Sequence, residues 1–86
     1  MSSKDPVSHI LFDIEKELEK AKKKHPFFPL DAVGRCSIMM EEAGEAVQAA
    51  NDVVWGDSDT ANLKVELLHT AAMCVRILEA MENEEE

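Results

Sequence analysis

Apolar residues recur at steps of three and four along three separate stretches of this chain, and only two short breaks interrupt them. That periodicity belongs to helices, and no stretch shows the strict alternation of a half-buried strand. In the first stretch Val7, Ile10, Leu11, Ile14, Leu18 and Ala21 form one stripe. Asp5 followed by Pro6 predicts its start, because a capping carboxylate precedes a residue whose missing N–H would have been unpaired anyway. The opposite face holds acids early and Lys22 to Lys24 late, as the helix dipole favours. His25-Pro26-Phe27-Phe28-Pro29 ends this helix, since each proline forces the residue before it into extended geometry.

A second helix is predicted from about Asp31 to Trp55, carrying Val33, Cys36, Met39, Met40, Ala43, Val47, Ala50 and Val54, with Gly56 as its stop. Ser58 or Asp59 then caps a third, which carries Leu63, Leu67, Leu68, Ala71, Ala72, Val75, Leu78 and Met81 and ends near Met81. The tail Glu82 to Glu86 is expected to fray. With 86 residues the chain makes one domain, residues 1 to 86, too small to bury much of its own apolar surface. The second and third helices are apolar over more than half of their circumference. The expected architecture is therefore all-α: a three-helix chain that completes a four-helix-bundle-like dimer or tetramer with further copies of itself.

Eighteen acids against nine basic residues give a net charge of −9, and the imbalance is local. Residues 1 to 24 balance at +1, while residues 25 to 86 carry −10 and hold only Arg35, Lys64 and Arg76 as cations. Such a field argues against nucleic acid as a partner, and it admits a phosphorylated ligand only where a divalent cation stands between carboxylate and phosphate. Cys36 and Cys74 lie within apolar helical patterns and are expected as buried, reduced thiols. The polar start Met1-Ser2-Ser3-Lys4 and the absence of a long apolar run are those expected of a cytoplasmic protein that does not enter a membrane.

The chemistry is concentrated in two short runs. In Glu41-Glu42-Ala43-Gly44-Glu45, Glu42 and Glu45 are about 60° apart around the helix axis and Glu41 and Glu45 about 40°, so all three acids are expected on one face, in line with apolar Ile38 and Ala49. Like charges so placed repel, and hard divalent cations are their natural neutraliser. On the third helix Glu66 and His69, three apart, interrupt the apolar run Val65 to Ala72. A Glu in such a setting is expensive without a partner. An acidic pair on one helix facing a Glu/His pair on another makes a compact metal site.

These two runs resemble the EExxE…ExxD signature of the MazG-like all-α nucleoside triphosphate pyrophosphohydrolases, over roughly residues 25 to 80. The resemblance implies an oligomeric helical enzyme that binds Mg2+ and cleaves nucleoside triphosphates to monophosphates and pyrophosphate, as in the removal of non-standard nucleotides. On it, Glu42, Glu45 and Glu66 match metal ligands, and Glu41 is the remaining acid, expected to orient or deprotonate the attacking water. His69 stands where the family has Asp. Imidazole is a softer donor, so Mn2+ enters beside Mg2+ as an expected cofactor. Arg76, Lys64 and Arg35 are candidates for the leaving pyrophosphate, and Trp55 and Phe28, with Phe27, for the base. Two other readings compete: a catalytically degenerate binding or assembly module, and a carboxylate-bridged di-metal bundle in which Glu66-x-x-His69 is a literal ExxH motif.

Overall fold

A computed structural model describes residues 5–85; the polar start Met1 to Lys4 and the last tail residue, Glu86, lie outside them. It contains three helices and, among the described residues, no strand: α1 (Pro6–Lys24), α2 (Ala32–Trp55) and α3 (Ala61–Glu85). Each start follows from a side chain that serves free backbone N–H groups. Asp5 accepts from the Val7 N–H at 2.9 Å and Asp31 from the Gly34 N–H at 2.7 Å. Asp59 accepts from the Ala61 N–H at 2.9 Å, and the Thr60 carbonyl takes the first helical bond from Lys64. The connection after α1 folds back tightly on α2, where a Cβ at Gly34 would meet the Pro29 Cβ at 3.0 Å.

α3 is the central element. α1 and α2 each pack on it and not on one another. Ala46 and Ala49 of α2 and Ala72 of α3 are buried, and such small residues permit close helix approach. Leu18 of α1 and Met73 of α3 complete the buried apolar set among the described residues. The result is a slab of 46 × 34 × 19 Å with a radius of gyration of 14.4 Å. A compact domain of this length has about 12 Å, so the protomer is open. No described helix is long and apolar enough to cross a membrane.

Three expectations need correction. α3 does not end near Met81 but continues to Glu85, because Glu84 pairs with the Arg35 guanidinium and holds the last turns against α2. Arg35, expected as a cation for the leaving pyrophosphate, is accordingly engaged within the fold: it is 5% exposed and also donates from Nε to the Pro29 carbonyl at 2.7 Å. The thiols are both free, as expected, but Cys36 is exposed and Cys74 only half-buried, since α2 turns the Cys36 face away from α3.

Candidate metal centre

Glu42 of α2 and Glu66 and His69 of α3 each offer one donor atom, and the three atoms lie within 4.8 Å of one another. The helical repeat explains the set. Glu66 and His69 are one turn apart on α3, and Glu42 is one turn before buried Ala46, on the face of α2 that α3 covers. The His69 Nδ1 stands 3.7 Å from Glu42 Oε2 and 3.8 Å from Glu66 Oε2. Those two carboxylate oxygens are buried and have no hydrogen-bond partner. Lone pairs turned inward with no donor to meet them are costly, and a cation satisfies them. The donor set, two carboxylates and an imidazole, fits a divalent ion.

Burial pushes the Glu66 carboxyl above its ordinary range, and Glu45 beside it pushes it further, by a shared hydrogen bond and by like charge; His69 offsets part of this and Glu42 adds to it. Glu45 thus reaches the centre from the exposed flank of α2. The packing of α2 on α3 brings together Glu42, Glu66 and His69, with Glu45 beside Glu66, but not Glu41. Against the expectation of three acids on one inward face, Glu41 is exposed and borders an open groove with Ala32, Val33, Cys36, Ser37 and Met40 on the outer side of α2. One residue is a 100° turn, which carries Glu41 off the face that Glu42 occupies.

The centre opens into a cleft of about 320 Å3 between α1 and the other helices, lined by Glu17, Lys20, Lys24, His25, Glu42 and His69 among others. The residues from α1 were not anticipated. Glu17 Oε2 lies 3.2 Å from His69 Nε2, and only 21% of the Glu17 side chain is exposed. Its signal in the sequence is faint: three residues after Ile14 and four before Ala21, it stands at the border of the apolar stripe, where the solvated face begins.

The expected phosphate and base contacts lie elsewhere. Arg76 is 7% exposed, donates from Nη2 to the His25 carbonyl at 2.8 Å, and its guanidinium covers the Phe28 ring, so it supports the wall of the cleft from behind. Arg35 stacks on Phe28 as well. Lys64 is exposed on the first turn of α3, and Trp55 and Phe27 are 84% and 92% exposed near helix ends. No protein-family model matches the chain, and no curated protein or solved structure matches it either.

Proposed function

We propose that this protein is a divalent-metal-dependent nucleoside triphosphate pyrophosphohydrolase of the MazG-like all-α kind. The observation that carries the reading is the convergence of Glu42, Glu66 and His69, with unpartnered buried oxygens, at the mouth of a cleft that also holds lysines. Glu42, Glu66 and His69 would hold the ion, Mg2+ or Mn2+, which when bound neutralises phosphate charge and lowers the pKa of a coordinated water. On this reading Lys20 and Lys24, one turn apart on the cleft wall, would take phosphate oxygens in place of Arg76, Arg35 and Lys64, which do not line the cleft. Glu45, exposed and beside Glu66, is the acid placed to accept a proton from water, a role that Glu41 cannot fill from the outer side of α2 within one protomer.

The working unit is proposed to be a homo-oligomer joined through α2. Val33, Met40, Val47 and Val54 are all exposed and recur every seven residues, the spacing of a helix–helix seam. Ser37, Gly44 and Asn51 beside them are exposed and uncharged. In a chain of net charge −9 a stripe whose own positions carry no acid, with Glu41 only at its border, fits a second copy, since two such stripes meet with little repulsion.

A second reading, the carboxylate-bridged di-metal bundle, is favoured by His69 standing between Glu17 on one side and Glu42 and Glu66 on the other. One experiment separates the readings: pyrophosphate release from a panel of standard and modified nucleoside triphosphates with Mg2+, Mn2+ or no metal. Metal-dependent release that disappears in Glu66→Gln supports the hydrolase. Absence of release, with iron in the isolated protein and absorption in the near ultraviolet, supports the di-metal bundle. Absence of both leaves the assembly module.

A further inference from the structure

The two oxygens of Glu17 face different partners. Oε1 lies 3.4 Å from Lys20 Nζ and Oε2 lies 3.2 Å from His69 Nε2. The other imidazole nitrogen, Nδ1, faces Glu42 Oε2 and Glu66 Oε2 at the longer distances of 3.7 and 3.8 Å. A neutral imidazole has one N–H and one lone pair, and the nearer acceptor decides which nitrogen keeps the proton. Here the nearer carboxylate oxygen is that of Glu17, and the assignment that follows from this proximity is a proton on Nε2. Nδ1 is left with a lone pair pointing into the space between two buried, unpartnered carboxylate oxygens.

With Glu42 and Glu66 ionised, as metal ligands are, the three electron-pair donors around one point describe a coordination site seen from its ligands. Donors held about 2.0–2.2 Å from an ion stand roughly 3–3.6 Å apart around it. The present set, within 4.8 Å, needs only a small side-chain contraction to reach that spacing. The partner of the distal imidazole nitrogen is what holds such a ring in place in metal centres.

We infer that Glu17 is the positioning residue that fixes His69 as an Nδ1 metal ligand, so that the centre selects a borderline first-row ion such as Mn2+ or Co2+ over Mg2+. This rests on the metal centre proposed above but not on its being an enzyme. Imidazole nitrogen supplies the preference, because Mg2+ takes oxygen donors and gives up its water reluctantly.

Titration with Co2+ tests it, using the visible absorption of the bound ion, with Mg2+ as competitor. Glu17→Ala is expected to weaken Co2+ binding by about 10–100-fold. Glu17→Gln, whose amide oxygen still accepts from Nε2–H, is expected to retain affinity close to that of the unaltered protein. Equal loss in both variants, or loss in neither, overturns the positioning role, and Mg2+ competing on equal terms with Co2+ overturns the selectivity. Should Glu17→Ala fail to fold by circular dichroism, nitrogen NMR of the unaltered metal-free protein at about pH 8.5, where an ordinary imidazole is neutral, gives the answer directly. A proton on Nε2 is expected; a proton on Nδ1 sinks the inference. Pyrophosphate release is scored separately. Release combined with unaltered Co2+ affinity in Glu17→Ala keeps the hydrolase and removes this inference, and the Glu17 effect without release does the reverse.

Discussion

The Arg76 guanidinium lies 4.4 Å from the centre of the Phe28 ring while its Nη2 donates to the His25 carbonyl at 2.8 Å. With Arg35 5.7 Å from the same centre, the connection between α1 and α2 is fastened to α3 through one aromatic side chain. A cation over an aromatic face contributes about 0.5–2 kcal/mol and a charged hydrogen bond about 1.5–3 kcal/mol. Arg76→Met is therefore expected to lower unfolding free energy by about 2–4 kcal/mol, read as a shift in urea midpoint at unchanged slope. A phosphate-binding Arg76 would behave otherwise: stability would hold and KM would rise.

The raised Glu66 carboxyl sets a direction for pH dependence. Its folded-state pKa stands above the ordinary value of 4.5, because burial and then Glu45 penalise the ionised form. The fold thus favours the protonated group. The associated stability is fully present below the ordinary value and is lost as pH rises through the folded one. Urea midpoints should fall from acidic to neutral pH, and Glu66→Gln should flatten that fall and exceed the unaltered protein at pH 7. Comparing the two proteins removes the contribution of general self-repulsion in an acidic chain, which has the same sign. Added Mn2+ should stabilise the unaltered protein and leave Glu66→Gln much less affected; the same metal response in both would count against Glu66 as a ligand.

The three helices, their caps at Asp5 and Asp59 and the break at His25–Pro29 were legible in the sequence, because local propensity and capping decide them. The pairing of Glu42 with Glu66 and His69 was legible too, since each is a polar residue in a buried stripe. What was not legible depended on helix order in space. Glu17 reads as part of a solvated face until α1 lies across the His69 side of α3. Arg35 and Arg76 read as free cations because the sequence does not show that Phe28 and the carbonyls of His25 and Pro29 come to meet them. Glu41 was misplaced by a single helical step, the resolution at which periodicity ceases to assign a face.

The last turns of α3 are tied to α2 by one ion pair among the described residues. Arg35 is buried and Glu84 is its only acidic partner among the described residues, although the Glu84 side chain is 55% exposed. Glu84→Ala leaves that guanidinium with the Pro29 carbonyl and the Phe28 ring and is expected to cost about 1–2 kcal/mol, between the values for surface and buried pairs. Amide hydrogen exchange should show the loss concentrated after Met81, with the centre at Glu66 and His69 unchanged. Unchanged protection there would show that the helix end is held by something other than this pair.

The exposed stripe on α2 makes the final prediction. Met40 and Val47 are 61% and 62% exposed in the protomer, at the middle of the seven-residue series. If two copies meet along it, Val47→Glu sets two like charges against each other in a desolvated seam, where an unpaired charge costs several kcal/mol. Dimer affinity should drop by about 100-fold or more. Sedimentation equilibrium should then report monomer at concentrations where the unaltered protein is associated, while Lys23→Glu, on an exposed face of α1, leaves association intact. Because Cys36 lies beside the same stripe, its thiol should react slowly with a maleimide in the unaltered protein and fast in Val47→Glu. Fast labelling in both would place the interface on another face, and the α1 stripe with exposed Val7, Ile10 and Leu11 would be the next to substitute.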